Sequence, residues 1–203
     1  MPGVTLLSDI RITLHTRIAA GLWQAQPTSL PLCLALLNRL LRAEQHDDPW
    51  AAHWLAHIRL RLDVLNYLLQ QKHGLLDRRF AGLPEAIDTP LGHNPAPVQF
   101  TLPLALLTPP GSRLMQIVAG YDRLVCRALL AWRLDLISQE EKSDVLSTFP
   151  RLIRQLYSYV NRFRTTGVTR DDVRHNTPLA QGVARRLGQL PKRLLADIHR
   201  DAE

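Results

Sequence analysis

The sequence predicts a mainly α-helical protein: a multi-helix bundle with a small, two-stranded β-ribbon. Apolar residues recur at helical spacing along most of the 203-residue chain, in which 46% of the residues are hydrophobic. Two short segments, 9–15 and 98–104, instead alternate apolar and polar residues, as half-buried strands do. Strands and helices do not alternate along the chain, which excludes Rossmann and P-loop folds. We expect one domain over residues 1–203.

The first candidate element covers residues 7–46 and consists of a strand followed by two helices. Its strand has an apolar and a polar face, formed respectively by Ile10, Ile12 and Leu14, and by Arg11, Thr13 and His15. A short helical stretch follows, beginning at Arg17. Thr28 and Ser29 then offer N-caps, and Pro31 suits the first turn of a second helix.

The rest of the chain predicts further helices, one connector and the second strand. Asp48 before Pro49 opens a long helix, and Ser138 with Glu141 forms a capping box for a later one. Residues 82–97 hold two glycines and four prolines and predict an irregular connector. We expect these helices to cover about 49–79, 113–137 with Ser112 as its cap, 139–164, a short stretch after Thr169, and one or two segments within 179–200.

Charge is the feature that points to a partner. The chain has 25 lysine and arginine residues against 18 aspartate and glutamate residues, for a formal net charge of +7. Only Lys72, Lys142 and Lys192 are lysines. Arginine carries a planar fork of donors that suits phosphates and guanine edges. A GC-rich genome also favours arginine codons, so the charge favours an anionic partner without naming it.

The sequence contains no motif that carries enzyme chemistry. There is no nucleophile elbow, no phosphate-binding P-loop and no dinucleotide-binding glycine motif. His53 and His57 stand one helical turn apart, but Trp54 occupies the position of a zinc protease's glutamate, and no third ligand stands out. We therefore expect no enzyme activity, no cofactor, no metal and no small-molecule substrate.

Three features predict a cytoplasmic protein without a membrane partner. No apolar run approaches the roughly 18 residues of a membrane span. The first residues lack the basic and apolar segments of a signal peptide. The two cysteines, Cys33 and Cys126, lie far apart in apolar surroundings, which is typical of a reducing compartment.

The strand at 9–15 is the leading candidate for a DNA contact. A lone two-faced strand has to pair, either with 98–104 of the same chain or with its own copy in a dimer. A two-stranded antiparallel ribbon fits the major groove, where its outer face meets base edges.

The base-contact candidates are Arg11, Thr13 and His15. The phosphate-contact candidates are Arg17, Thr28 and Ser29 and, on a later helix, Arg151, Arg154 and Arg162. The competing interpretation is an ordinary edge ribbon with a solvated polar face.

Five segments, in their order along the chain, carry a resemblance to a known group. They are SDIRITLHTRIAAGLW, DDPWAAHWLAHI, VQFTLPL, YDRLVCRALLA and RFRTTGVTRDDV. From about Leu7 to the C-terminus, the chain resembles accessory proteins of integrating conjugative elements, which are similar to AcaB-type transcriptional regulators of conjugative plasmids. The resemblance implies a DNA-binding regulator encoded in a bacterial mobile element, with residues 7–46 as the candidate for a ribbon-helix-helix-like module. The helical stretch at 17–24 is short for that module, which leaves open whether 9–15 or 98–104 reads DNA.

These observations predict a sequence-specific transcriptional regulator of conjugative or mobile-element genes that binds double-stranded DNA as a homodimer. The alternative is a non-catalytic helical scaffold or adaptor of a conjugative transfer system. In that alternative the ribbon is purely structural, and a heptad-like seam joins a protein partner. The seam consists of Leu114, Val118, Tyr121, Val125, Ala128 and Trp132.

Overall fold

The computed structural model describes residues 9–84 and 97–200, and within them the chain is mainly helical with one small sheet. This confirms the predicted class of a mainly helical protein with a small two-stranded ribbon, whereas the likeness of that ribbon to a ribbon-helix-helix unit stays a prediction. Most of the predicted connector, residues 85–96, lies outside the described residues, as do residues 7 and 8 of the predicted first element. None of the described helices combines the length and the apolar character that crossing a bilayer requires.

Most helices begin where a capping side chain accepts a hydrogen bond from the first turn. The predicted caps Ser29, Asp48, Ser138 and Thr169 are confirmed, and Glu141 completes the capping box with Ser138. The helices are α1 (Arg17–Trp23), α2 (Leu30–Gln45), α3 (Pro49–Phe80), α4 (Pro109–Arg133), α5 (Gln139–Arg162), α6 (Arg170–Arg174), α7 (Pro178–Leu187) and α8 (Lys192–Arg200), with a 3-10 turn at Leu104–Leu106 before α4.

Helix α4 begins earlier than the sequence predicts. Thr108, and not Ser112, is its N-cap, and the Thr108 hydroxyl accepts a hydrogen bond from the Gly111 N–H. Pro109 and Pro110 fill the first turn, where an N–H has no helical acceptor and a proline therefore loses nothing. The prolines that predicted a turn thus extend the helix toward the ribbon.

The two predicted strands pair with each other inside one chain. β1 (Asp9–Leu14) and β2 (Val98–Pro103) run antiparallel, with Asp9 opposite Pro103 and Leu14 opposite Val98. The pairing that the sequence left open is therefore intramolecular. The alternative, in which β1 pairs with its own copy, is not the arrangement that the described residues form.

The apolar face of the ribbon packs on helix α1. Leu14 and Leu102 are buried, and Phe100 stacks on Trp23 with the ring centroids 4.3 Å apart. Successive side chains of a strand point to opposite faces, so the residues between these point away from the bundle. The ribbon therefore has one face held by the core and one face in solvent.

Helices α3 and α4 are parallel neighbours at the centre of the bundle. Two ion pairs advance along both helices in the same direction: Asp63–Arg113 and Asp77–Arg127. Between them a Cβ atom at Gly120 would lie 2.6 Å from the Leu69 side chain, closer than van der Waals contact permits, so any larger residue there would force that side chain to move. Two parallel helices need a connection that returns along the bundle, and β2 lies in that connection.

Helix α5 runs antiparallel to α3. The Lys72 ammonium lies 2.7 Å from the Asp144 carboxylate near the start of α5, whereas the earlier Arg61 lies over the ring of the later Tyr159. The core around these helices is one cluster of buried apolar side chains that extends from Leu14 to Ile198. This packing brings basic residues of α3 and α5, far apart in sequence, to the same groove.

The apolar seam predicted on α4 belongs to this core. All of its members except Trp132 are buried within the same chain, namely Leu114, Val118, Tyr121, Val125 and Ala128. Trp132 is 40% exposed, and the Lys142 ammonium lies 3.3 Å from the centre of its ring. The expectation that this seam joins a protein partner is therefore wrong, because its apolar face already covers helices of its own chain.

Candidate nucleic-acid interface

The outer face of the ribbon presents four polar side chains in two cross-strand pairs. Arg11 lies opposite Thr101, and Thr13 lies opposite Gln99. All four residues are exposed. The six residues of each strand extend over about 20 Å, and a two-stranded ribbon fits a major groove about 12 Å wide. The sequence alternation placed Arg11 and Thr13 on this face, but Gln99 and Thr101 entered it only through the pairing of the strands.

His15 lies beyond the end of β1 and does not share the exposure of Arg11 and Thr13. Its residue is half-buried and its ring Nδ1 is buried. The reason is the buried carboxylate of Asp122 on α4, which turns the backbone inward at this point. The Asp122 Oδ2 atom accepts a hydrogen bond from the His15 N–H at 2.8 Å. Of the three base-contact candidates, only Arg11 and Thr13 therefore lie on the exposed face of the ribbon.

Asp122 also fixes the junction between β1 and α1. Its Oδ1 atom accepts hydrogen bonds from both the N–H and the hydroxyl of Thr16, each at 2.8 Å. The Thr16 hydroxyl in turn caps α1 by accepting from the Ala19 N–H. With only 2% of its surface exposed, Asp122 has little access to water, and these three hydrogen bonds compensate its burial. The carboxylate thereby ties the end of the ribbon to the central helix α4.

The phosphate-contact candidates of the first element differ in their surroundings. Arg17 is exposed at the first residue of α1, directly after the ribbon. Thr28 is only 2% exposed, so the prediction that it contacts a phosphate is wrong for this conformation. Ser29 is the N-cap of α2, and its hydroxyl accepts from the Leu32 N–H. Because Pro31 has no N–H and the Leu32 N–H is bonded to Ser29, the first turn of α2 offers few free donors.

The three arginines predicted on α5 line a separate groove. Arg151, Arg154 and Arg162 lie together with Arg61 of α3 around a cleft of about 560 Å³, whose remaining lining residues are Gln155, Ser158 and Tyr159. We call this set the arginine cleft. No residue of the ribbon lines it. Arg61 was missed by sequence reasoning because nothing in the sequence relates it to α5.

Aromatic stacking holds Arg61 in the arginine cleft. Its guanidinium carbon lies 3.9 Å from the centre of the Tyr159 ring, and Trp54 stacks on the same ring at 4.4 Å. Burial raises the pKa of the Tyr159 phenol, and the charge of Arg61 opposes that rise. Arg61 therefore reaches the cleft from a stacked and partly ordered position.

Two of the segments that carry the resemblance, DDPWAAHWLAHI and RFRTTGVTRDDV, meet in the folded chain. Asp48, at the start of α3, accepts hydrogen bonds from the N–H and the hydroxyl of Thr166, the latter at 2.7 Å. Its neighbour Asp47 pairs with the Arg170 guanidinium at 3.2 Å. The segment around Thr166 turns at Gly167, whose φ of 71° favours glycine. The motifs thus act as structural clamps between distant parts of the chain.

The histidines and cysteines form no chemical site among the residues that the structure describes. The rings of His53 and His57 lie 4.6 Å apart, and burial, with a smaller contribution from His57, lowers the pKa of His53. No group of three potential metal ligands occurs within 9–84 and 97–200. Cys33 and Cys126 are free thiols whose pKa values are raised by burial, so thiolate chemistry is disfavoured at both.

Comparisons with known proteins identify the family. A family model described as "Transcriptional regulator AcaB" matches residues 2–202. The fold is similar to a solved structure, the crystal structure of selenomethionine-containing AcaB from uropathogenic E. coli. The TM-score is 0.65 over 97% of this chain and 98% of that chain, at 11% sequence identity. No curated protein matches. Because the family model spans nearly the whole chain and agrees with the resemblance carried by the five segments, the chain belongs to the AcaB family of transcriptional regulators.

Proposed function

We propose that this regulator binds double-stranded DNA sequence-specifically, reading the major groove with the outer face of its ribbon, and controls genes of a conjugative or mobile element. The observation that carries the proposal is the exposed set of Arg11, Thr13, Gln99 and Thr101 on a ribbon whose other face is packed on the bundle. The family supplies the regulatory role, and the ribbon supplies a surface of the right size and chemistry.

The four side chains have complementary abilities to read base edges. An arginine can bond guanine with two parallel hydrogen bonds, and a glutamine can bond adenine in the same way. Threonine offers a hydroxyl for hydrogen bonding and a methyl group for contact with thymine. Because Arg11 and Gln99 lie on different strands, they would address neighbouring base pairs. Such a set distinguishes sequences, whereas a purely basic surface attracts any duplex.

Two features prepare the ribbon for this role. The stacking of Phe100 on Trp23 holds its inner face, and Asp122 holds its end. A ribbon ordered before binding loses less conformational entropy when it enters the groove. Arg17, exposed directly after the ribbon, and Ser29 at the start of α2 are the proposed contacts to flanking phosphates.

We propose further that two chains bind one operator in the cytoplasm, as a homodimer in which each chain is a single domain. The four outer residues of one ribbon reach only a few base pairs, and two half-sites one helical turn apart would double the sequence that is read. The scaffold alternative loses the support of the α4 seam, since that seam is buried inside the chain.

The proposal is tested by the change Arg11→Ala on a duplex selected by the wild-type protein from a random pool. We expect a loss of about 1–3 kcal/mol in binding free energy on the selected duplex and little loss on a random one, measured by fluorescence anisotropy. The matched control is Arg133→Ala, an exposed arginine at the end of α4. An equal loss on both duplexes would make Arg11 a phosphate contact, and no loss on either would remove the ribbon from the site.

A further inference from the structure

The arginine cleft brings together four arginines of two helices, Arg61 of α3 and Arg151, Arg154 and Arg162 of α5. None of its lining residues is acidic, and in the described part of the chain Arg151, Arg154 and Arg162 form no ion pair within 4.0 Å. The nearest acidic residue along α5 is Asp144, two turns before Arg151, and it is bonded to Lys72. Like charges that share one groove repel each other, so an anion with several charges stabilises the arrangement.

The remaining lining residues match an oxyanion such as a phosphate rather than an apolar partner. The amide of Gln155 and the hydroxyl of Ser158 are donors to phosphate oxygens, and both stand between the arginines on α5. From Arg151 to Arg162 the helix rises about 16 Å, which is long enough for a chain of several phosphates. The Tyr159 ring is already stacked with Trp54 and Arg61, so a base would have no free aromatic face here.

The width of the groove argues for a narrow ligand. Packed helices such as α3 and α5 lie about 8–10 Å apart axis to axis. A DNA duplex is wider than its own major groove of about 12 Å, so it would touch the rim of the cleft and not enter between the walls. A linear polyphosphate is narrow enough to lie along such a groove, next to Arg61 of α3 and Arg154 and Arg162 of α5.

We propose that the arginine cleft binds the polyphosphate chain of a free nucleotide, with Arg61, Arg151, Arg154 and Arg162 as its ligands, as an effector site separate from the ribbon. This site gives the regulator an input other than DNA. The proposal depends only on the residues of the cleft, so it can be tested independently of whether Arg11 reads DNA. Arg61, ordered by its stack on Tyr159, binds with less loss of side-chain freedom than an unconstrained arginine.

The test is calorimetric titration of the full chain with inorganic triphosphate at constant ionic strength. We expect saturable binding with one site per chain, and roughly 10- to 100-fold weaker binding in Arg154→Ala and in Arg162→Ala, as for the loss of charge-assisted hydrogen bonds. Arg154→Lys keeps the charge but not the fork of donors and should fall between wild type and Arg154→Ala. Circular dichroism and thermal melting establish that each variant is folded.

Control variants and ligands distinguish binding at this site from non-specific electrostatic attraction and from DNA binding. Arg133→Ala removes one exposed positive charge outside the cleft and should leave triphosphate binding unchanged within about twofold, as should Arg11→Ala. ATP and GTP should bind about as tightly as triphosphate, and inorganic monophosphate at least 10-fold more weakly. The proposal is overturned if triphosphate binding does not saturate or if Arg133→Ala weakens it as much as Arg154→Ala. It is equally overturned if Arg154→Ala weakens duplex binding while wild type ignores triphosphate.

Discussion

The ribbon and the arginine cleft both direct guanidinium groups to solvent, but their neighbours differ. On the ribbon, Arg11 stands among threonine and glutamine on a face that projects outward. In the cleft, Arg61 and three further arginines face one another across a groove. A projecting face with mixed donors and acceptors suits base edges, whereas a concave and uniformly positive one suits phosphate groups. Arginine content alone therefore indicates an anionic partner, and only the surroundings of each arginine indicate which kind.

The two regions also differ in how they are held in place. The ribbon depends on a buried carboxylate, Asp122, which fixes one of its ends through three hydrogen bonds. The cleft depends on the packing of two long helices and on the stack of Trp54, Tyr159 and Arg61. Changes at these supports should therefore affect one region and spare the other.

The largest effect is expected for Asp122→Ala. The change leaves three donors of His15 and Thr16 without their acceptor, and we expect it to lower the free energy of unfolding by about 3 kcal/mol, measured by urea denaturation. Binding to the selected duplex should be lost, since the end of the ribbon is released, while triphosphate binding should change less than about twofold. Asp122→Asn keeps one carbonyl acceptor and should cost about half as much. Unaltered DNA binding in a destabilised Asp122→Ala protein would refute the role of this carboxylate in holding the ribbon.

An intermediate effect is expected for Gln99→Ala, which tests the second strand, none of whose residues was among the base-contact candidates named from the sequence. We expect about 1–2 kcal/mol weaker binding to the selected duplex and a relaxed preference at one base pair, measured by anisotropy on duplexes that differ at single positions. Gln71→Ala, at an exposed position of α3, is the matched control and should have no effect. If Gln99→Ala leaves the base preference unchanged, β2 does not face the DNA.

The smallest effect is expected for Tyr159→Leu. This change removes the ring under Arg61 and should weaken triphosphate binding by roughly 2- to 5-fold, the size of one cation–π contact, measured by calorimetric titration. DNA binding by the ribbon should stay the same. Tyr67→Leu replaces a tyrosine of α3 that is 62% exposed and provides the matched control. An equal loss in both variants would show that the stack does not position Arg61.

Local patterns predicted the elements and much of the outer face. The alternation of Ile10, Ile12 and Leu14 with polar residues identified β1 and the exposure of Arg11 and Thr13, because side-chain direction in a strand follows from sequence position. Ser138 and Asp48 identified helix starts, because capping involves only residues within one turn. At α4 the local prediction was wrong: the sequence analysis took Ser112 as the cap, whereas Thr108 is the cap and the two prolines occupy the first turn.

Contacts between distant residues were beyond these patterns. The inward turn at His15 depends on Asp122, more than a hundred residues away, and the burial of Thr28 depends on the core around it. In the same way, the seam on α4 has the spacing of a surface for a partner, and its actual neighbours are helices of its own chain. A periodic apolar stripe establishes that a face is covered but does not say by what.

The sequence by itself determined the helical class, the two strands, most helix starts and the arginine-rich character of the chain, because those properties depend on composition and on neighbours within a few residues. Only the tertiary structure decided that the strands pair within one chain, that Gln99 and Thr101 join Arg11 and Thr13, and that Arg61 meets the arginines of α5. Each of these three features depends on which segments pack together, and that packing is determined by the burial of the whole apolar core.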